Sequence, residues 1–163
     1  MRAVIGIGLA LLAAVFQATF NPQLRLFGGE PNFVLLLTLA WAARAPLVEA
    51  VLIAFAGGIG LDLMSVGPLG LTTLALLPPI FAIDIVREQL VGFNYLLLVI
   101  FTAIAGFVYA LIMLAGLVIA GFTLPPLGVL SYTILPTVVY NLALLTPVFV
   151  LVRWLTREPK ARP

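Results

Sequence analysis

The sequence contains no cysteine and no histidine, and both absences narrow the chemistry that is open to it. Without cysteine, the chain can form no disulfide, thiolate nucleophile or zinc–sulfur site. Without histidine, it lacks the side chain that most often carries protons and binds metals near neutral pH. Lys160 is the only lysine. We therefore expect no metal site and no cofactor.

Charge is also scarce, because only 9% of the 163 residues are charged whereas 64% are hydrophobic. A soluble domain is roughly 45–50% apolar and about 25% charged. A soluble core of this size could not bury so much apolar surface, so a lipid bilayer must cover the rest. The apolar runs are continuous rather than alternating, which indicates helices and not membrane strands. The basic residues form no stripe with interleaved aromatics, so nucleic acid is not an expected partner.

The apolar runs predict an all-α membrane protein with a bundle of about six transmembrane helices. The prolines at 22 and 46 are expected to end segments, and Pro78-Pro79 is expected to kink the fourth helix. The stretch 84–93 is the most polar interior one, and it is predicted to be an interfacial loop or a turn of helix. The predicted segments are residues 3–20, 32–43, 47–61, 69–83, 94–120 and 127–152.

The first segment resembles a signal peptide in having Arg2 before an apolar run. The run is longer than a typical signal core, and a further membrane segment follows it. We therefore expect a retained helix, within a single transmembrane domain over residues 1–155. Residues 156–163 are expected to form a short cytoplasmic tail.

The distribution of basic residues predicts the orientation. Cytoplasmic loops carry an excess of arginine and lysine. Six crossings with a cytoplasmic start leave only Arg25 outside, so both termini are predicted to be cytoplasmic. Seven basic residues then lie inside: Arg2, Arg44, Arg87, Arg153, Arg157, Lys160 and Arg162.

Segments two to four are shorter than the roughly 20 residues that a full crossing needs. They are either short spans or, for two of them, a re-entrant hairpin. A hairpin would hold Arg44 inside the membrane without an obvious partner, which is costly. We therefore prefer spans.

The stretch after the third segment combines an acidic residue with many glycines. Asp62 either contributes to a pocket for a partner or ligand, or caps the next helix or the turn. The glycines at 57, 58 and 60 permit close helix packing, and those at 67 and 70 permit a sharp turn. The residues at which we expect partner or pocket binding are Gly58, Gly60, Asp62, Gly67, Pro68, Leu69 and Gly70, together with Pro31 and Asn32 before the second helix.

Two other patterns point to helix packing. The small residues Gly6, Ala10, Ala14 and Ala18 recur every four positions and form one face of the first helix. That face packs either inside the bundle, which we favour, or against a partner helix. On the sixth helix, Thr133, Thr137 and Asn141 share a face that either forms interhelical hydrogen bonds, as we favour, or lines a cavity.

The polar loop near residue 87 has two interpretations. Asp84, Arg87 and Glu88 form either a solvated amphipathic connector, as we favour, or a docking surface for a cytoplasmic protein. An enzyme is not expected, because Asp62 and Asp84 lie on opposite sides of the membrane in this topology and cannot form a catalytic pair. A stand-alone ion-coupled transporter would need several charges within the membrane, and Asp62 is at most one, so such a transporter is not expected either.

The stretches PNFVLLLTLAWAARAP and GGIGLDLMSVGPLGLTTLALL, at residues 31–46 and 57–77, resemble the MreD family of rod shape-determining proteins. The resemblance implies a non-enzymatic inner-membrane component of the cell-elongation machinery, which makes peptidoglycan. It implies binding to the single-span protein MreC, and influence on the RodA glycosyltransferase, its class B transpeptidase partner and the MreB system. Asp62 matches the acidic position of the family. Asn32 stands where the family more often has aspartate, which puts a role for negative charge there in doubt.

A second family remains as an alternative, namely the substrate-binding S subunits of energy-coupling-factor vitamin transporters. These are also six-helix membrane proteins, and they dock through small residues of the first helix. The face from Gly6 to Ala18 resembles that feature. The loops of this chain, however, hold few aromatic and polar groups with which to bind a polar vitamin.

Overall fold

The computed structural model describes residues 2–25, 27–89, 95–123 and 127–156. Within these residues the chain is all-helical and forms a bundle of six helices without a strand, as predicted. The helices are α1 Arg2–Leu24, α2 Phe33–Ala42, α3 Leu47–Leu63, α4 Leu71–Gln89, α5 Tyr95–Ile119 and α6 Leu127–Leu155. Among the described residues, three stretches have the length and composition to cross a membrane: Arg2–Leu24, Tyr95–Ile119 and Tyr132–Leu155.

Two predicted boundaries are wrong. Helix α1 continues through Pro22 to Leu24 instead of ending at Phe20. Proline cannot donate a hydrogen bond to the carbonyl oxygen of Ala18, but its fixed φ fits a helix, so Gln23 and Leu24 continue α1 at the cost of that one bond. The fourth segment was predicted to end at Ile83, whereas α4 continues to Gln89, so of the loop and the turn of helix that were expected from Asp84 the described residues form helix. Residues 90–94 and 157–163, with most of the predicted tail, lie outside the described part.

Helix α2 is the centre of the bundle. Its residues from Val34 to Ala42 are all buried, and it contacts each of the other five helices. A helix that is apolar on every side and carries no charge is stable only when other helices surround it. The neighbouring pairs α1–α3, α3–α4, α4–α5 and α5–α6 pack around α2 as an incomplete ring.

The two ends of the bundle differ in charge. We call the end that holds Arg2, Arg44, Arg87 and Arg153 the arginine end, and the opposite end, which holds Asp62, the aspartate end. At the arginine end, the Arg87 guanidinium donates hydrogen bonds to the carbonyl oxygens of Ala42 (3.1 Å) and Ala45. Arg87 also pairs with Asp84 at 2.8 Å. These bonds join α4 to the carbonyl end of α2, so Asp84 and Arg87 are part of the bundle rather than a free connector.

Arg44 lies at the arginine end and not within the apolar middle of the bundle. Its Nε donates to Thr156 Oγ1 at 3.2 Å, and its guanidinium lies 5.9 Å from the centre of the Phe149 ring. Arg44 is therefore not held in the apolar middle of the bundle without a partner, which is the cost that a re-entrant hairpin would carry. Large apolar side chains cover the outside of the bundle, including Val4 (71% exposed) and Ile119 (87% exposed). This is the surface expected of a membrane protein.

Candidate functional site

Asp62 lies in the last turn of α3 and caps α4. Its side chain is only 3% exposed. Oδ2 accepts a hydrogen bond from the amide of Gly70 at 2.8 Å, and Oδ1 accepts one from the amide of Thr72 at 3.1 Å. Helix α4 begins at Leu71, so these are two of the amides that a helix start leaves without an internal partner. The sequence left two alternatives open for Asp62, namely a pocket for a partner or ligand and a helix cap. These two hydrogen bonds are those of a cap.

The turn between α3 and α4 requires its last glycine. Gly70 has φ +87°, a left-handed conformation that side chains with a Cβ rarely adopt. Leu69 is 71% exposed at the tip of this turn. Pro68 accepts a hydrogen bond from the amide of Leu71 at 3.3 Å, and Gly67 donates one to Ser65 Oγ at 3.3 Å. The predicted binding turn is therefore held together by its own contacts.

The glycines of α3 bring its backbone close to two neighbouring helices. A Cβ built on Gly58 would lie 2.8 Å from both the Cα and the amide nitrogen of Thr73 in α4. A Cβ on Gly60 would lie 3.2 Å from Ala14 Cβ in α1. There is therefore no room for a methyl group at Gly58, whereas a methyl group at Gly60 would need only a small shift of its neighbours.

The small-residue face of α1 is used within the chain. Gly6, Ala10 and Ala14 are buried, and Ala18 is partly buried. A Cβ on Gly57 of α3 would lie 3.3 Å from Ala10 Cβ, and one on Gly6 would meet Ile53 of α3 and Trp41 of α2. The alternative that this face lies open for a partner helix does not fit these contacts.

Pro31 and Asn32 lie inside the bundle at the start of α2. Asn32 is the N-cap, because its Oδ1 accepts from the amide of Leu35 at 3.0 Å. Asparagine and aspartate cap helices about equally well, so this role needs no negative charge. The carbonyl oxygen of Pro31 accepts from Asn21 Nδ2 at 3.0 Å, and the Asn32 amide donates to Asn141 Oδ1 at 2.8 Å.

A polar network at the aspartate end joins α1 and α6 to the start of α2, and Asp62 joins α3 to α4. Tyr109 of α5 lies near Asn32, because both side chains line the same small cavity. Thr137 Oγ1 of α6 accepts from the Glu30 amide at 3.0 Å. As favoured from the sequence, the polar face of α6 makes internal hydrogen bonds. It also lines a small cavity together with α2 and α5.

Sequence reasoning missed three contributors to this network. Tyr109 was not singled out, although a tyrosine within an apolar membrane helix signals a need for a hydrogen-bond partner. Gln17 Oε1 accepts from the Val34 amide at 3.2 Å, which satisfies a second amide at the start of α2. A Cβ on Gly29 would lie 2.6 Å from the Thr137 amide nitrogen, so this loop packs directly against the backbone of α6.

An apolar groove opens where the ring of helices around α2 is incomplete, between α1 and α6. It has a volume of about 460 Å³. Phe16 packs against Phe33 edge to face, with ring centres 5.2 Å apart, at the floor of this groove. Its lining residues are all apolar, and they include Leu12, Val15 and Phe20 of α1, Leu37 of α2, and Val148 and Leu151 of α6.

The fold and these contacts define a helical membrane protein whose buried polar groups mainly hold its own helices together. A family model described as rod shape-determining protein MreD matches residues 1–158. The chain belongs to the MreD family, whose members are components of the system that determines rod shape. No curated protein and no solved structure gives a significant match.

Proposed function

We propose that this chain is a non-enzymatic scaffold of the cell-elongation machinery in the inner membrane, where it binds the single-span protein MreC. The family match over residues 1–158 is the observation that carries this proposal. Through MreC, the scaffold helps to position or regulate the RodA glycosyltransferase, its transpeptidase and the MreB system. Both Asp62 and Asp84 already have hydrogen-bond or ionic partners within the chain, which supports a scaffold rather than an enzyme.

The groove between α1 and α6 is the proposed seat for the transmembrane helix of MreC. It lies between α1 and α6, where the ring of helices is incomplete, and its lining is entirely apolar. Association of helices within a membrane depends on close van der Waals packing. Gly58, Gly60 and Asp62 then act indirectly, because they set the positions of α3, α4 and, through Ala14, α1.

The groove proposal predicts that Val15→Trp lowers the amount of MreC that co-purifies in detergent by about tenfold, which corresponds to a loss of about 1.4 kcal/mol. Val15 is 51% exposed and lines the groove, so an indole there fills the groove without disturbing the core. Val4→Trp is the matched control, because Val4 is 71% exposed on the same helix and does not line the groove. Equal loss in both variants, or in neither, would contradict this seat.

We also propose that the arginine end faces the cytoplasm, because it holds Arg2, Arg44, Arg87 and Arg153 whereas Arg25 lies near the aspartate end. The absence of native cysteine makes single-cysteine labelling unambiguous. In intact spheroplasts, a membrane-impermeant maleimide should label Val66→Cys, whose site is 91% exposed at the aspartate end. Arg44→Cys should react only after lysis. The opposite pattern would reverse the proposed orientation.

A further inference from the structure

A polar cavity of about 140 Å³ lies between the start of α2 and the middle of α5 and α6. Its polar lining comes from Asn32, Tyr109, Thr133, Thr137 and Asn141. The cavity is distinct from the apolar groove, because the two share no lining residue. An apolar cavity can stay empty. Polar groups that line an empty cavity, in contrast, lose their hydrogen bonds to water and gain none in exchange, so a polar cavity favours an occupant.

Asn141 carries a buried donor that has no partner within the described part of the chain. The side chain is 1% exposed, and its Nδ2 makes no hydrogen bond. The amide orientation is fixed by chemistry, because Oδ1 must be the atom that accepts from the Asn32 amide. A Cβ built on Gly106 would lie 3.8 Å from Nδ2, and Gly106 also lines the cavity. The unpaired donor therefore points into this space.

The other groups around the cavity favour a hydroxyl. Thr137 Oγ1 accepts from the Glu30 amide, and a hydroxyl that accepts one hydrogen bond can also donate one. Tyr109 supplies a further hydroxyl. No charged side chain is among the described lining residues, so the cavity offers no ionic partner to an anion or a cation.

The volume restricts the size of the occupant. Pockets for drug-sized ligands usually span roughly 300–1,000 Å³, so this one holds a single small group and not a vitamin. Thr133 is exposed at the mouth. It lies six residues from the start of α6, about 9 Å along the helix axis. The stretch of α6 that is long and apolar enough to cross a membrane begins at Tyr132, so we expect Thr133 to lie near the boundary between headgroups and hydrocarbon, where lipid headgroups and soluble molecules can both enter.

We propose that this cavity is a binding site for a neutral hydroxyl-bearing group, which accepts a hydrogen bond from Asn141 Nδ2. The same chemistry is offered by the glycerol headgroup of a membrane lipid and by a free polyol. If the occupant is a lipid, the hydroxyls of its glycerol headgroup enter the cavity, and its phosphate stays at the mouth of the cavity.

Gly106→Ala tests the site without removing any polar group. The added methyl group would have ordinary contacts, 3.5 Å to Val138 Cγ2 and 3.8 Å to Asn141 Nδ2, so the variant should fold while the space beside the donor is filled. Gly8→Ala is the matched control, because a Cβ there meets nothing within 4 Å. Native mass spectrometry of the full chain in detergent would compare phosphatidylglycerol with phosphatidic acid, which has the phosphate but lacks the glycerol hydroxyls.

The wild type and Gly8→Ala should bind phosphatidylglycerol about tenfold more tightly than phosphatidic acid, the effect of about one buried hydrogen bond. Gly106→Ala should lose this preference. If the source is a free polyol, the lipid preference is absent, and added glycerol raises the Tm of the wild type and Gly8→Ala but not of Gly106→Ala. Equal behaviour of Gly106→Ala and Gly8→Ala with both probes would overturn the proposal.

Discussion

Gly58→Ala should lower the free energy of unfolding by about 2–3 kcal/mol and reduce the yield of the complex with MreC. The new methyl group would overlap the backbone of Thr73, whose Cα and amide nitrogen are each 2.8 Å from the Cβ position. Backbone atoms cannot move aside by changing rotamer, so α3 and α4 must separate. Thermal unfolding in detergent, followed by circular dichroism, would measure the loss.

Gly60→Ala is the matched control on the same helix. Its Cβ would lie 3.2 Å from Ala14 Cβ and 3.4 Å from Leu11 Cδ2, contacts that a small shift can relieve. Alanine is the better helix former by about 0.5–1 kcal/mol, so this variant should be close to wild type in stability. If the two variants had the same Tm, the close approach of α3 to α4 would not be a source of stability.

Asp62→Ala should destabilise the fold by about 3 kcal/mol, because it removes two charge-assisted hydrogen bonds. The amides of Gly70 and Thr72 would lose their acceptor, and Thr72 is buried. Asp62→Asn retains an acceptor oxygen and should recover about half of the loss. The measurement is again thermal unfolding, combined with MreC co-purification from the same preparations.

The two Asp62 variants also separate a cap from a partner contact. If Asp62 acts as a cap, complex yield should follow stability, and both should be higher for Asp62→Asn than for Asp62→Ala. A variant with wild-type stability that nevertheless failed to retain MreC would contradict this account, and would make Asp62 a direct contact.

Much of the fold was predictable, because long apolar runs punctuated by proline and glycine leave few alternatives in a membrane. The start of α2 at Asn32 and the turn at Gly70 follow from local chemistry, namely a capping side chain and a left-handed residue. The end of α1 was mispredicted because proline was treated as a stop signal. Proline removes only its own amide hydrogen bond and has a φ that fits a helix, so α1 continues two residues past Pro22.

The candidate site was less predictable, because its residues are far apart in the sequence. The spacing of Thr133, Thr137 and Asn141 showed that they share a face of α6, but not that Asn32 and Glu30 are their partners. Small residues at four-residue spacing indicate close packing, but they do not indicate which helix is the packing partner. Only the structure shows that the neighbours of α1 are α3 and α2, which leaves the groove towards α6 as the open surface.

Disulfide crosslinking within the membrane tests the seat of MreC most directly, because this chain has no cysteine of its own. Leu12→Cys places a thiol in the groove, and Leu111→Cys places one on α5, where the side chain is 49% exposed but away from the groove. Each would be paired with single cysteines at successive positions of the MreC transmembrane helix. We predict a crosslink to Leu12→Cys that repeats with helical periodicity, and none to Leu111→Cys. Crosslinks to Leu111→Cys alone would contradict the account.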